Sequence, residues 1–567
     1  MSIKDIEGVK NPIVYISLTL VFSSIFYGLY NDYLWLAGIS ASFFIIFVYL
    51  NTNLIFSLVL SMFFILGILN NVNYYNLESN DSFYREIKVT EKSSYYYVGE
   101  MGNRRIYLEG DGLDDSLGKE LCLKGNFTFD KDIERGILGK LKIDKIYWSK
   151  KTLTSFLYDI RENIYKKLKE NLGQRKSALV TSVSFGYSEY LDQYDEEEMR
   201  NLGVIHAISV SGLHVALVYG IIKKFLGKNI SLIGTFVYII LTGAAFSSIR
   251  AFIMIMVLSV SFNLRRNYNS SSALALACLL ITLVKPYAPF KLGFILSFLA
   301  SAGIITFSKK LNNNLYRLPN YLRGTISVTL SAQVFTLPII MIAFSECSVS
   351  FFLGNIIIVP LLNLLIILGN LLILAYSISS LFDFLSYVII NVIKILDILM
   401  DSFYDISNIN YVVNESMIMA FTMTLISVYF ISKGIKKMGI LAVAAMISAC
   451  IYIYSPFLRV DYLKEGGLLI SYRGERKIVT NSRNVDMAKL KKITLAHDGV
   501  RAPKKIKLLN KLEINSEGKN FYIELKNKKY LLKLNNRGLV DESYDIINFI
   551  DKEKKGFFII EDELLTY

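Results

Sequence analysis

Histidine, proline, tryptophan and charge are all scarce in this chain. Three histidines in 567 residues, His206, His214 and His497, leave little material for a histidine-built metal centre. Four cysteines (Cys122, Cys278, Cys347 and Cys450) are scattered with no CxxC pair, which excludes a disulfide scaffold and a zinc finger. Eight prolines are too few for a disordered stalk. No GxxxxGK[ST] phosphate loop occurs, so the chain has no nucleotide motor of that kind. Charged residues make up 19%, against about 25% in a soluble domain. What is present is apolar: 53% hydrophobic residues, 13% aromatic and a mean hydropathy of +0.41. The composition points to a polytopic membrane protein with soluble appendages. The net charge of +14 is expected mainly in cytoplasmic loops.

Three apolar stretches open the chain, at 12–30, 33–50 and 53–70. The first runs directly into more apolar sequence and is expected to be a retained span rather than a cleaved signal. Residues 75–150 are charged and contain five short strand-like runs, 84–90, 94–100, 105–109, 120–129 and 141–148, which predict a small barrel or open sheet. The stretch Phe156, Ile160, Ile164 and Leu168 repeats every four residues and predicts an amphipathic helix on the membrane surface. Ten further spans are predicted near 204–224, 229–246, 248–264, 271–284, 290–307, 324–344, 350–378, 382–400, 414–432 and 437–456, making about 13 in all. Residues 459–567 return to soluble character with short strands. The Lys/Arg placement, with basic loops at 223–228, 265–266, 309–323 and 433–437, puts 75–202 and 459–567 outside the cytoplasm.

The densest polar sequence at membrane depth is Gly203-Val204-Ile205-His206-Ala207-Ile208-Ser209-Val210-Ser211-Gly212-Leu213-His214-Val215. On a continuous helix Ala207, Ser211 and His214 share one side. Such groups face a bundle interior or a wet path, and two readings stand: helix glue, or lining of that path. Arg250 opens a later span, following Ser247, Ser248 and Ile249. It either presents a guanidinium to a phosphate or anchors the span at the interface. Asn355 and Pro360 likewise serve a path or only packing and a kink.

These segments resemble the ComEC-type DNA-internalisation family of competence channels. The family's Gly-x-x-His segment followed by Ile-Ser-Gly-Leu-His-Val is matched by Gly203 to His206 and Val210 to Val215. Leu241-Thr242-Gly243 with Ser247-Ser248-Ile249-Arg250-Ala251, then Lys285-Pro286 with Gly293-Phe294-Ile295-Leu296-Ser297-Phe298, then Pro338 with Gly354-Asn355 and Val359-Pro360, look like the family's next segments in order. The resemblance implies a channel importing single-stranded DNA during natural transformation. It implies a path shaped by His206, Ser211, Gly212, His214, Arg250, Asn355 and Pro360. It also implies an extracytoplasmic DNA receptor, a cytoplasmic motor helicase and a separate nuclease as partners, with no cofactor.

By position, 75–150 resembles the family's OB-like domain. OB folds bind single strands on aromatic platforms in a basic groove, and Tyr95, Tyr96, Tyr97, Arg104, Arg105 and Tyr107 are the candidates. The region's net charge of −1 argues against strong DNA affinity. The C-terminal region resembles a decayed metallo-β-lactamase-like domain. Of the family's HxHxDH ligands only the first is present, as His497, while Gly499, Arg501 and Ala502 occupy later ligand places. A two-metal hydrolase needs several such ligands, so no metal site and no nuclease activity are expected. The net charge of 459–540, +12, suits a DNA tether or a folding remnant.

The expected architecture is therefore a polytopic α-helical membrane protein. It divides into N-terminal helices (1–72), an OB-like extracytoplasmic β domain (75–150), interfacial helices (151–202), the channel domain (203–457) and a small α/β or β C-terminal domain (458–567). Two alternatives compete with a DNA channel. One is a transporter of another anionic polymer or a lipid-linked precursor. The other is an intramembrane hydrolase using Ser211, disfavoured because Ser211 and His214 share one turn and Ser209 replaces the Gly of a GxSG motif.

Overall fold

The computed structural model describes residues 11–30, 34–51, 53–77, 83–92, 96–113, 116–348, 350–407, 410–432, 434–463, 467–480, 487–501, 506–508, 512–517, 520–525, 528–533, 544–548, 556–560 and 563–566. The chain divides into two units, 1–336 with 348–409, and 337–347 with 410–567.

In the first unit, α1 (Pro12–Tyr30), α2 (Leu34–Asn51) and α3 (Leu54–Tyr75) pack together. Gly67 lies against Ser23 with no room for a Cβ. Small residues of this kind let apolar helices approach closely where lipid supplies no hydrophobic drive. Next come β1 (Phe83–Lys92), β2 (Tyr97–Met101), β3 (Arg104–Glu109), β4 (Glu120–Asp132) and β5 (Ile137–Lys150), closed into a barrel in the order β1-β2-β3-β5-β4. Only the β3–β5 pairing is parallel. The closure leaves no free edge. Alternate residues Ile87, Val89, Ile106, Leu108, Leu121 and Leu123 fill the interior. Tyr74, Tyr75 and Tyr287 belong to the same apolar cluster, and the Tyr74 hydroxyl donates to the Gly136 carbonyl at 2.8 Å. The barrel is thereby seated on the helices.

Thr152 caps α4 (Leu153–Leu172) through a capping box with Ser155. The buried stripe of α4 is Leu157, Arg161, Ile164, Tyr165 and Leu168. It is displaced from the expected one, and Phe156 is 58% exposed. The reason is the neighbour: α5 (Gln174–Phe185) is buried from Ser177 to Phe185 and shares a core with α4 and later helices. Residues 177–185 are thus enclosed by other helices of the unit. The hydroxyls of Ser177, Thr181 and Ser182 bond to carbonyls three or four residues back, which makes their burial affordable.

The short α6 (Gln193–Asn201) and a 3₁₀ turn at Ile205–Ala207 precede α7 (Gly212–Leu241). The expected span at 204–224 therefore begins only at Gly212, and Ala207, Ser211 and His214 do not share one continuous helix. Gly227, with φ 80° and ψ 178°, interrupts α7, and Ile222 lies against Gly234. The two arms therefore fold back on each other. The unit continues with α8 (Phe246–Asn263), α9 (Ser270–Val284) and α10 (Leu292–Asn314). The helix α11 (Asn320–Phe344) follows. A turn α12 (Phe351–Leu353) then leads through a π-helical segment, Gly354–Ile358, into α13 (Val359–Ala375) and α14 (Ser379–Ser407).

In the second unit, the strand β6 (Glu346–Ser348) pairs with β7 (Asn410–Val412), and α15 (Glu415–Ser432) packs on α16 (Gly439–Tyr454). Beyond them lie two sheets. The first contains β8 (Leu458–Leu463), β9 (Gly467–Tyr472), β10 (Glu475–Thr480), β11 (Asp498–Arg501), β17 (Gly556–Ile560) and β18 (Glu563–Thr566), in the order β11-β10-β9-β8-β17-β18. The second is consecutive: β12 (Ile506–Leu508), β13 (Leu512–Glu517), β14 (Asn520–Leu525), β15 (Lys528–Lys533) and β16 (Asp545–Asn548). Val460, Ile470, Phe521, Leu532 and Phe557 from both sheets form one core. The helix α17 (Met487–Thr494) covers Leu469 and Ile478.

Among the described residues eight helices are long and apolar enough to cross a membrane, and three shorter apolar helices accompany them. The segment expected as a span at 382–400 is not among the eight. It lies in α14, which carries Asp383, Lys394, Asp397 and Asp401 along one helix.

Candidate functional site

The site is built around the start of α7. Ser211 is its N-cap, with extended backbone, and its Oγ accepts from the Leu213 amide at 3.3 Å. The Ser211 amide donates to Nδ1 of His214 at 3.1 Å. An accepting Nδ1 places the ring proton on Nε2, which then donates to the Val183 carbonyl at 2.9 Å. His214 is fully buried and takes the role Glu plays in an ordinary capping box. It clamps α7 to α5.

The next wall is the start of α8. Gly243 and Ala244 turn the chain with φ 85° and 52°. Ser247 and Ser248 then donate to the Val210 carbonyl at 2.7 and 3.2 Å. The Arg250 guanidinium lies over Gly212, where a Cβ would sit 2.8 Å from its terminal nitrogen. Arg250 Nε is sealed from solvent without a hydrogen-bond partner. Among the described residues no ion pair reaches this guanidinium. It rests against the positive end of a helix dipole, so two positive features meet with no counter-charge.

A second contact zone joins 202–204 to 351–360. Gly203, at φ 69°, passes Phe351, and Gly354 passes the Leu202 carbonyl, both without room for a Cβ. Asn355 Nδ2 donates to the Phe351 carbonyl at 2.8 Å. Pro360 has no amide to donate to the Ile356 carbonyl, so the helix widens there. That carbonyl instead accepts from the Tyr321 hydroxyl at 3.3 Å. His206 sits in the 3₁₀ turn with its side chain exposed. Ser211, Gly212, His214 and Arg250 are thus together, whereas His206, Asn355 and Pro360 belong to the neighbouring zone.

Sequence reasoning missed α5 and the charge cluster at its start. Arg175 forks onto Asp195 at 2.6–3.1 Å and reaches Asp397 at 3.2 Å. Glu198 is buried beside them with one oxygen unbonded. Burial, then Asp401 and Asp195, holds its carboxyl above the usual range despite Arg175. The small-residue run Ser177-Ala178-Leu179-Val180-Thr181-Ser182 was the available signal for an interior helix.

On the barrel, Tyr95 lies outside the described residues. Tyr96 packs edge-on against Tyr107 and accepts from Arg135 at 3.1 Å. Tyr97 is half-buried beside Lys92. Tyr107 is buried, and so is Arg105. Arg105 pairs with Glu91 at 2.5 Å, donates to the Arg135 carbonyl at 2.9 Å and stacks on Tyr287. Burial would lower its pKa, but the Glu91 carboxylate together with Tyr287 and Tyr74 outweighs that and holds it above the ordinary value. Arg104 points to the membrane helices, donating to the Asn73 carbonyl at 2.7 Å. The expectation of an open stacking platform is corrected for Arg105 and Tyr107, whose surfaces are consumed by the barrel and its seat.

In the C-terminal region His497 is exposed, and its amide bonds to the Arg476 carbonyl. Gly499 and Arg501 lie on β11, and Ala502 is outside the described residues. Among the described residues no three metal-ligating side chains group together.

A family model described as Competence protein matches residues 183–438. ComE operon protein 3 of Bacillus subtilis (strain 168) is 27% identical over 220 residues, 37% of this chain and 28% of that protein. An uncharacterized protein of Mycoplasma pneumoniae, described as an MG316 homolog, is 33% identical over 117 residues, 19% of this chain and 30% of that one. The chain thus spans less than a third of the length of the curated relatives it matches. No solved structure gives a significant match. The family match begins within α5 and includes both contact zones.

Proposed function

We propose that the chain is a membrane channel for import of single-stranded DNA in natural transformation, a reading supported by the match of residues 183–438 to the Competence protein family model. The observation that carries the reading is Arg250. A partly buried cation without a counter-charge, set against a helix N-terminus, is costly unless an anion visits it. A phosphodiester supplies that anion, and a guanidinium forks onto it well. Ser211, Gly212 and His214 hold the helix end in place, His214 by clamping and not by contact with the strand. His206, Asn355 and Pro360 shape the adjoining zone.

The barrel is read as an OB-like domain and, with the C-terminal unit, as extracytoplasmic. A DNA receptor outside and a motor helicase inside complete the machine. A separate nuclease acts as well, because Gly499, Arg501 and Ala502 replace ligands a two-metal site needs. A hydrolase reading is not supported, since both ring nitrogens of His214 are engaged by the cap and by Val183.

Uptake of labelled DNA tests the channel reading. Arg250→Ala is expected to reduce entry to the cytosol by roughly 10–100-fold, the worth of one charged hydrogen-bonded contact, while surface binding persists. Arg250→Lys keeps charge without the planar fork and is expected to fall between. Normal accumulation of both variants with wild-type uptake refutes the reading.

A further inference from the structure

The helices α3 and α9 end together beneath the barrel, and a cavity of about 350 Å³ lies where they meet it. Asn70 donates to the Leu283 carbonyl at 3.0 Å, Asn103 to the Val284 carbonyl, and Arg104 to the Asn73 carbonyl at 2.7 Å. Three carbonyls at these helix ends are therefore met by the protein itself. Among the described residues, the cavity wall carries two guanidinium groups, Arg85 and Arg104, and no carboxylate. Its floor is apolar, with Leu77, Met101, Leu283 and Val284. Exposed apolar side chains lead up to it: Leu66, Leu69 and Val72 on α3, and Leu280, Leu283 and Val284 on α9.

We propose that this cavity binds the phosphate head group of an anionic phospholipid, with its acyl chains along the exposed apolar residues of α3 and α9. The volume falls within the range of small-ligand sites, about 300–1,000 Å³. Cationic side chains over an apolar floor, at the level where apolar helices stop, match a molecule that is anionic at one end and hydrocarbon at the other. A nucleic acid strand would use the arginines and leave that floor uncovered. The net charge of 75–150, −1, gives the barrel no general attraction for a polyanion. The lipid would tie the barrel to the leaflet on its side of the membrane.

The test uses the full chain, delipidated in detergent, and native mass spectrometry with phosphatidylglycerol, phosphatidylcholine or a short oligothymidylate. One phosphatidylglycerol per chain is expected to bind about tenfold or more tighter than phosphatidylcholine. Arg85→Gln with Arg104→Gln is expected to remove that preference. Leu283→Trp, which fills the floor and keeps both charges, is expected to weaken retention too, and decides the matter alone if the double variant does not fold. Equal retention of the two lipids, or a preference unchanged in the variants, overturns the proposal. Oligothymidylate displacing the lipid through the same arginines also overturns it, in favour of a nucleic-acid site.

Discussion

Arg105 in the barrel seat and Arg250 at the start of α7 are both withdrawn from water, and they differ in what was provided for them. Arg105 has a carboxylate, a carbonyl and an aromatic face. Arg250 has a glycine and the end of a helix, and its Nε is unbonded. A buried cation with partners holds elements together, whereas one without them costs stability that only a ligand restores. The barrel arginine therefore belongs to assembly, whereas the helix-end arginine is the one left open to a ligand.

The largest break in that comparison is expected from replacing each arginine by methionine. Arg250→Met removes an unpaired charge, so DNA entry should fall about 10–100-fold while the unfolding midpoint in detergent stays level or rises. Arg105→Met should lose about 0.5–1.5 kcal/mol of stability, because the Arg135 carbonyl loses its donor and the ion pair to the largely solvated Glu91 is broken. Equal destabilisation by both changes would erase the distinction.

Glu198 sharpens it with the opposite charge. Its neighbours are Asp195, Asp397 and Asp401, opposed by Arg175. The folded state holds its proton more tightly than the unfolded chain. Stability from this group is full below the ordinary value of 4.5 and lost as pH rises through the raised folded value. Glu198→Gln should flatten the fall in unfolding midpoint between mildly acidic and neutral pH. An unchanged pH profile would show that Glu198 is adequately compensated after all.

The smallest effect is expected at Gly212. Gly212→Ala places a methyl 2.8 Å from the terminal nitrogen of Arg250, so the flexible guanidinium shifts while α7 keeps its cap. Uptake should fall by less than in Arg250→Ala, at nearly unchanged stability, as read by the same two assays. Wild-type uptake would show that the guanidinium position is not critical.

Much of this molecule was legible in one dimension. The five strand-like runs of 75–150 correspond to β1–β5, because alternating burial leaves a period-two trace. The break between 204–224 and 229–246 corresponds to the reversal at Gly227, which lysines and glycine marked. The start of α7 was misplaced because apolar residues recur throughout 204–215 with no proline and no acidic or basic chain other than histidine to mark a break. The helix there is set by the Ser211 cap, and a histidine in the capping box is not an ordinary start signal. The interior place of α5 was hidden by its hydroxyl residues, which satisfy themselves on their own helix. The acidic positions of α14 were visible, but the hydropathy of the stretch outweighed them.

Composition and the pattern along the chain determined that this protein builds apolar helices and two β regions, since burial of apolar surface depends on residue type and period. The ordered Gly, Ser, His, Arg and Asn segments likewise marked where polar chemistry is concentrated. Only the tertiary structure decided which of those groups are spent. It closed His214 between Ser211 and Val183, gave Arg105 to Glu91, turned Arg104 toward the membrane helices and left Arg250 unpaired over Gly212. The partner of a buried charge depends on residues far away along the chain, and no local pattern encodes that distance.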